Sequence, residues 1–316
     1  MAPPRIISFL TPLSENARVA ILPHKAGDGV CFSKMSGAGN DFVVIDNRGG
    51  AVADPGALAR QICTRRASVG ADGLILIEES KSATFRMLYF NADGSRADFC
   101  ANGTRCAARF AFLEELAGSE MTLETDAGPI DAVVRGTLVT LALPPPRDLV
   151  ADRPLALGGT VVRGSSIMVG VPHYVLPVTE DLWSCDIASP GVALRNHGDL
   201  QPAGANINFI KVRDRHSLEV RTYERGVEGE TLSCGSGVVA AVSVSALAGR
   251  VESPVRVLTR SGTELEVGFA LRDGALVNVT LTGDARVVFR SEMGPETISG
   301  FDPAWVRDPT AVRGAP

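Results

Sequence analysis

Two short stretches constrain this chain more than anything else in it: Cys100-Ala101-Asn102-Gly103-Thr104 and Cys234-Gly235-Ser236-Gly237-Val238. Each opens on a cysteine, passes through small or polar residues including glycine, and leads into a run with helical character, Arg105 to Leu113 in one case and Val239 to Leu247 in the other. The two cysteines lie 134 residues apart, so the chain reads as two related halves. Each thiol is expected at a helix N-terminus, where unpaired backbone N–H groups and the helix dipole favour an anion. That setting is expected to pull the thiol pKa down from about 8.5 towards neutrality. A lone cysteine before glycine is usually a packing thiol; two matched copies, each tied to a helix start, point to chemistry.

The 316 residues are enough for about two domains, and 45% hydrophobic residues are enough for two cores. Aromatics make up only 5%, so those cores rest on Val, Leu, Ile and Ala. A net charge of −5, without a dense Lys/Arg tract, argues against a nucleic-acid partner. No apolar run reaches the ~18 residues that would span a bilayer. Six scattered cysteines in a chain of this size fit reduced thiols in the cytoplasm better than a disulfide framework. Cys100 and Cys106 lack a second pair at metal-ligand spacing, so no metal site is expected.

Along the chain, 1–29 reads as an N-terminal extension, 30–144 as the first half, 145–277 as the second and 291–316 as a tail. Gly37 and Gly39 resemble a phosphate loop, but a strand (Phe42 to Ile45) follows instead of a helix, which removes that reading. Asp54 and Pro55 open a helix expected over 55–66. Strands are expected over 74–77, 85–90, 121–125 and 132–143, and Pro144-Pro145-Pro146 is the strongest break. In the second half, strands are expected over 161–169, 174–178, 217–223, 255–258, 263–267 and 276–281, with a helix over 188–197. His173 falls in a Gly170-Val171-Pro172-His173 turn, and Glu224-Arg225-Gly226 follows a strand.

Matched thiols on matched helices suit a nearly symmetric reaction: one thiolate removes a proton from one face of a carbon and the opposite thiol returns one to the other. Each thiol then needs a proton partner, and His173 and Glu224 are the candidates. The two sets of helix N–H groups would hold a substrate carboxylate and the charge that spreads onto it, so no cofactor is expected. A thiol-redox switch between Cys100 and Cys234, or a module that only grips an amino-acid carboxylate, remain open from the residues alone.

The chain resembles the diaminopimelate epimerase family. The resemblance rests on Lys34 to Phe42, Gly70-Ala71-Asp72-Gly73-Leu74, Phe90 to Ser95, Cys100 to Cys106, Gly170 to His173, Asn206 to Phe209, Tyr223 to Gly226 and Cys234 to Gly237, all in family order. It implies an α/β fold of two pseudo-symmetric halves, each a curved mixed β-sheet around a central helix, with a last strand within 278–290 returning to the first half. It implies interconversion of LL- and meso-diaminopimelate, in lysine and peptidoglycan synthesis, by a homodimer. By position, Cys100 and Cys234 would be the acid/base thiols, with His173 and Glu224 as partners. Asn40, Asn91, Asn206, Glu224 and Arg225 would hold the substrate, and the backbone at Ala101-Asn102 and Gly235-Ser236 its reacting carboxylate. A related racemase of another amino acid is the runner-up. Three residues depart from the family pattern. Ala101 replaces a usual glycine, where a methyl would strain a glycine-type backbone angle or crowd the substrate. Val171 replaces a frequent asparagine, and Gly73 a glutamine found in some members.

Overall fold

Strand pairing repeats in the same order through both parts of the chain, and that repetition generates the architecture. The computed structural model describes residues 30–294 and 297. Its first part contains β1 (Cys31–Gly37), β2 (Asn40–Asp46), α1 (Pro55–Ile62), β3 (Gly73–Glu78), β4 (Phe85–Asn91) and β5 (Arg96–Ala97). It continues with α2 (Ala101–Leu113), β6 (Glu120–Thr125), β7 (Gly128–Arg135) and β8 (Leu138–Leu143). The second contains β9 (Arg147–Leu157), β10 (Thr160–Val169), β11 (Val171–Pro177), α3 (Ala188–Arg195), β12 (Asn206–Asp214), β13 (Ser217–Glu224) and β14 (Gly229–Thr231). There follow α4 (Gly235–Leu247), β15 (Val255–Leu258), β16 (Glu264–Arg272), β17 (Ala275–Asp284) and β18 (Arg286–Glu292).

In the first part β1 pairs antiparallel with β2, β2 parallel with β3, β3 antiparallel with β4, β4 parallel with β6, and β6–β7–β8 form an antiparallel run. The series β10–β11–β12–β13–β15–β16–β17 repeats those senses step for step. The two series meet where β8 lies antiparallel to β17, Leu141 opposite Leu281. At the far ends β9 covers β10, and β18 covers β1. The fold is α/β, two halves of mixed sheet each around a central helix, as the family resemblance implies.

The strand sequences explain the layering. In β3, Leu74 and Leu76 face the cluster under α1, while Ile75 and Ile77 face the cluster around α2. A strand buried on both faces reads as a continuous apolar run. α4 is buried on nearly every side, from Gly237 to Ala246, because its sequence is small and apolar all round. One apolar cluster runs through both halves, from Met35 and Leu123 to Val238 and Leu281.

Several boundaries differ from the sequence-based expectation. The helix at Pro55 begins as expected, with Asp54 accepting from the Ala57 N–H at 2.9 Å, but ends at Ile62, four residues early, before the positive φ of Arg66. α3 stops at Arg195, two residues early. The single strand expected over 132–143 is a hairpin, β7 and β8, turned at Gly136 with φ +63°. His173 lies inside β11 and not in a turn; only Gly170 (φ +67°) turns the chain. The exposed β9 gives no apolar alternation and was not expected as a strand. β18 extends two residues into the expected tail. The expectations for 1–29 and for 295–316, Thr297 apart, lie outside the described residues.

Candidate active site

The two cysteines cap the two central helices. Cys100 is the N-cap of α2, in extended conformation (φ −143°, ψ 108°), and its sulfur accepts from the Gly103 N–H at 3.4 Å. Cys234 is the N-cap of α4 with nearly the same backbone (φ −112°, ψ 108°), and its sulfur lies 3.5 Å from Ser236 Oγ. The two helix starts abut: a Cβ on Gly235 would come within 2.8 Å of the Ala101 methyl. Cys234 therefore feels the charge of Cys100, and Glu224 acts on both. They form no disulfide.

Burial overturns the expected acidity of these thiols. Loss of water pushes Cys100 up to about 11, and the Glu224 charge adds to this against the Gly103 and Asn102 amides and Arg105, which favour the thiolate. The same desolvation raises Cys234 further, with Glu224 again adding to it and only Ser236 and the Gly237 amide opposing. The dipole of one helix end does not outweigh removal of a thiolate from water.

The partner candidates come from the strands around α4. His173 is buried; its Nδ1 lies 3.1 Å from Asn208 Nδ2, and its Nε2 has no hydrogen-bond partner among the described residues. Burial drives its pKa down to about 3, against a hydrogen bond with the Val169 backbone, so the ring is neutral at ordinary pH. Glu224 ends β13 and accepts from Thr231 Oγ1 at 2.7 Å; burial raises its pKa. Ser233 Oγ, next to Cys234, is likewise buried without a partner among the described residues.

The expected binding residues divide into two kinds. Asn40 donates to Asp72 Oδ2 at 2.9 Å and accepts from Asn102 Nδ2 at 2.7 Å, so its amide is already engaged. Asn102 also donates to the Ser233 carbonyl at 3.3 Å, tying the first thiol loop to the second. Asn206 is buried and its Oδ1 accepts the Arg225 N–H at 2.8 Å. Asn91 donates to Ser95 Oγ at 3.0 Å. Arg225 donates to the Ala203 carbonyl at 3.2 Å and, among the described residues, makes no ion pair, with Glu224 or otherwise. Ala101 and Gly235 face one another, and Ser236 stands beside Cys234. The strain expected at Ala101 is absent: it occupies the first turn of α2 with no positive φ, and its methyl meets Gly235. The space that a side chain at Gly73 would fill is taken by the Tyr89 ring, 2.5 Å from such a Cβ.

Four site neighbours were not singled out from sequence. Asn208 fixes the His173 ring and itself accepts from Thr222 at 3.0 Å. Its signal was the Asn206-Ile207-Asn208 spacing, which puts both amides on one strand face. Asp72 holds Asn40 and, through Arg65 at 2.9 Å, the Asp41 carboxylate. Tyr89 and Ser233 carried no distinguishing pattern.

Solved structures share this fold. A probable proline racemase from Agrobacterium radiobacter K84 superposes with a TM-score of 0.63 at 16% identity, covering 85% of this chain and 95% of its own. The sequence model described as diaminopimelate epimerase matches residues 32–138 and 165–288. The diaminopimelate epimerase of Aquifex aeolicus (strain VF5) is 41% identical over 280 residues, 84% of this chain and 99% of that protein. That of Chlorobaculum tepidum is 42% identical over 260 residues, 81% and 98% of the two chains. Fold, paired thiols and relatives define an isomerase of the epimerase kind. The chain belongs to the diaminopimelate epimerase family.

Proposed function

We propose that this protein interconverts LL- and meso-diaminopimelate by moving one α-proton between two thiols without a cofactor. The observation that carries the reading is the abutment of two thiol-capped helices, which gives one carbon centre two facing acid/base groups and two sets of backbone donors. Both thiols rest protonated at neutral pH. In the forward direction one thiol passes its proton to the Glu224 carboxylate, and the thiolate formed takes the α-proton. The electron pair spreads onto the carboxylate held by the N–H groups at Ala101-Asn102 and Gly235-Ser236. The opposite thiol protonates the other face, and its own partner restores it. The raised carboxyl of Glu224 suits this exchange, and His173, whose Nδ1 accepts from Asn208, presents Nε2–H as a donor to a thiolate. Asn40, Asn91, Asn206, Glu224 and Arg225 hold the rest of the substrate, the unpaired Arg225 guanidinium meeting a distal carboxylate. The family resemblance supports a homodimer acting in the cytoplasm in lysine and peptidoglycan synthesis. Among the described residues no helix is long and apolar enough to cross a membrane.

The test is incubation with LL-diaminopimelate in heavy water beside a panel of other L-amino acids. Deuterium enters the α-carbon as the meso form appears, and both events stop in Cys100→Ala and in Cys234→Ala. A wild-type protein that takes up no deuterium is not an epimerase, and uptake confined to another amino acid makes it a racemase of that compound.

A further inference from the structure

Among the described residues, one of the largest fully buried side chains is charged: Arg105, with no solvent exposure. Its guanidinium lies beneath the first turn of α2. Nη2 donates to Asn102 Oδ1 at 2.7 Å, Nη1 to the Ala101 carbonyl at 3.4 Å and Nε to the Asp284 carbonyl at 3.4 Å. Among the described residues it forms no ion pair. The acidic residue whose field reaches it is Asp284, whose carboxylate is engaged elsewhere, by Arg286 at 2.7 Å and by the Ala38 N–H at 3.2 Å. The fold makes room for this cation: a Cβ on Gly283 would come within 2.9 Å of Arg105 Nε. A buried charge without a counter-ion is costly to keep. Two of its three acceptors belong to the first turn of the helix that Cys100 caps, and the third to the end of β17.

We propose that Arg105 is the fixed cation of the site, a positioning charge that supplies the positive field in which the Cys100 thiolate and a bound carboxylate form. This rests on Cys100 being one of the acid/base thiols. The guanidinium touches neither sulfur nor substrate; it acts through the Ala101-Asn102 turn and through space. It compensates in part for the burial that raises Cys100. Among the groups facing Cys100, Glu224 from β13 works against it, while Tyr89 from β4, Cys106 on the same helix and Cys234 before α4 are themselves raised by a charge on Cys100. A cation preinstalled in a dry site costs nothing in reorganisation when negative charge develops beside it.

The test reads the thiol and not turnover. Iodoacetamide alkylation of Cys100 is followed by peptide mass from pH 7 to 9 in the wild type, Arg105→Met and Arg105→Lys. Without the cation, the alkylation profile of Arg105→Met moves up by about one pH unit, which is roughly a tenfold slower reaction at fixed pH. Arg105→Lys keeps the wild-type profile, and Arg105→Met remains folded by circular dichroism. An unmoved profile in folded Arg105→Met overturns the proposal. So does a lysine variant displaced as far as the methionine one. So does failure of both to fold, which would make the guanidinium a structural post. Because alkylation needs no turnover, failure of the epimerase reading shows as absent deuterium uptake and failure of this one as an unmoved alkylation profile, so the two are told apart.

Discussion

Cys234 keeps only 6% of its surface exposed, and His173 1%, so the charge states of the site are set by exclusion of water. A serine at either cysteine position keeps the shape and a weak hydrogen bond but is a far weaker acid. Cys100→Ser and Cys234→Ser are each expected to lose about 1,000-fold in kcat while binding substrate within a few-fold of the wild type, measured by rate assay and titration calorimetry. Near-normal turnover in both would remove the thiol mechanism. His173 makes a second residue-scale prediction. Its folded pKa of about 3 lies below the ordinary value of 6.5. The unfolded chain therefore binds the extra proton between those limits, and stability falls as pH drops through that window and is unaffected above it. The melting temperature of the wild type should decline more steeply from pH 6.5 to 4 than that of His173→Gln. Parallel declines would show that His173 is not held neutral by the fold.

At the scale of elements, the site is an encounter between two helix ends, and its tightest point is the Ala101–Gly235 contact. One methyl fits there; two do not. Gly235→Ala brings a Cβ to 2.8 Å from the Ala101 methyl and 3.3 Å from Leu281 Cδ2, and is expected to cost about 1–3 kcal/mol by overpacking. Ala101→Gly in the same chain should restore most of that loss. A double variant no more stable than Gly235→Ala alone would place the strain elsewhere. The helices themselves were legible in the sequence, because capping and small-residue runs are local signals: Asp54-Pro55, and the two cysteine-glycine starts. The strands buried on both faces, such as β3, were legible as apolar runs. The exposed β9 was not, because only Leu155 of its 11 residues is buried in full, so its pairing with β10 leaves no mark on side-chain pattern. The positions of Cys100 and Cys234 could be read from sequence, but the direction of their pKa shifts could not. A helix N-terminus is a local feature, whereas desolvation depends on the sheets that close around it. Arg105 escaped notice for the same reason: an arginine in a helix is ordinary until the fold buries it.

The whole molecule has a symmetry that the chemistry breaks. Register sets Phe42 opposite Gly73 and His173 opposite Asn206, so these pairs occupy equivalent places in the two halves. Gly73 pairs with Asn91, and by the same register Asn206 lies level with Glu224. Around α2 the equivalent positions are apolar or filled, by Phe42, Ile75 and the Tyr89 ring; around α4 they are His173, Asn208 and Thr222. The second half thus brings most of the groups that manage protons, and the first brings the buried cation. Such a division works only if the halves keep their register, and the core that spans both is what would hold it. Leu123 is fully buried in β6, in the first half and away from the β8–β17 seam. Leu123→Ala should cost about 2–5 kcal/mol through its cavity. Trp183 belongs to the second half, where its Nε1 donates to Glu219 at 2.9 Å. With Trp305 changed to Phe it is the only tryptophan of the chain's two. In a denaturant titration of that background, Leu123→Ala should shift the Trp183 fluorescence midpoint as far as the circular dichroism midpoint, because the halves unfold together. A Trp183 transition left in place while the dichroism splits into two steps would mean separately folding halves, and the alignment of the two thiols would then depend on the helix-end contacts alone.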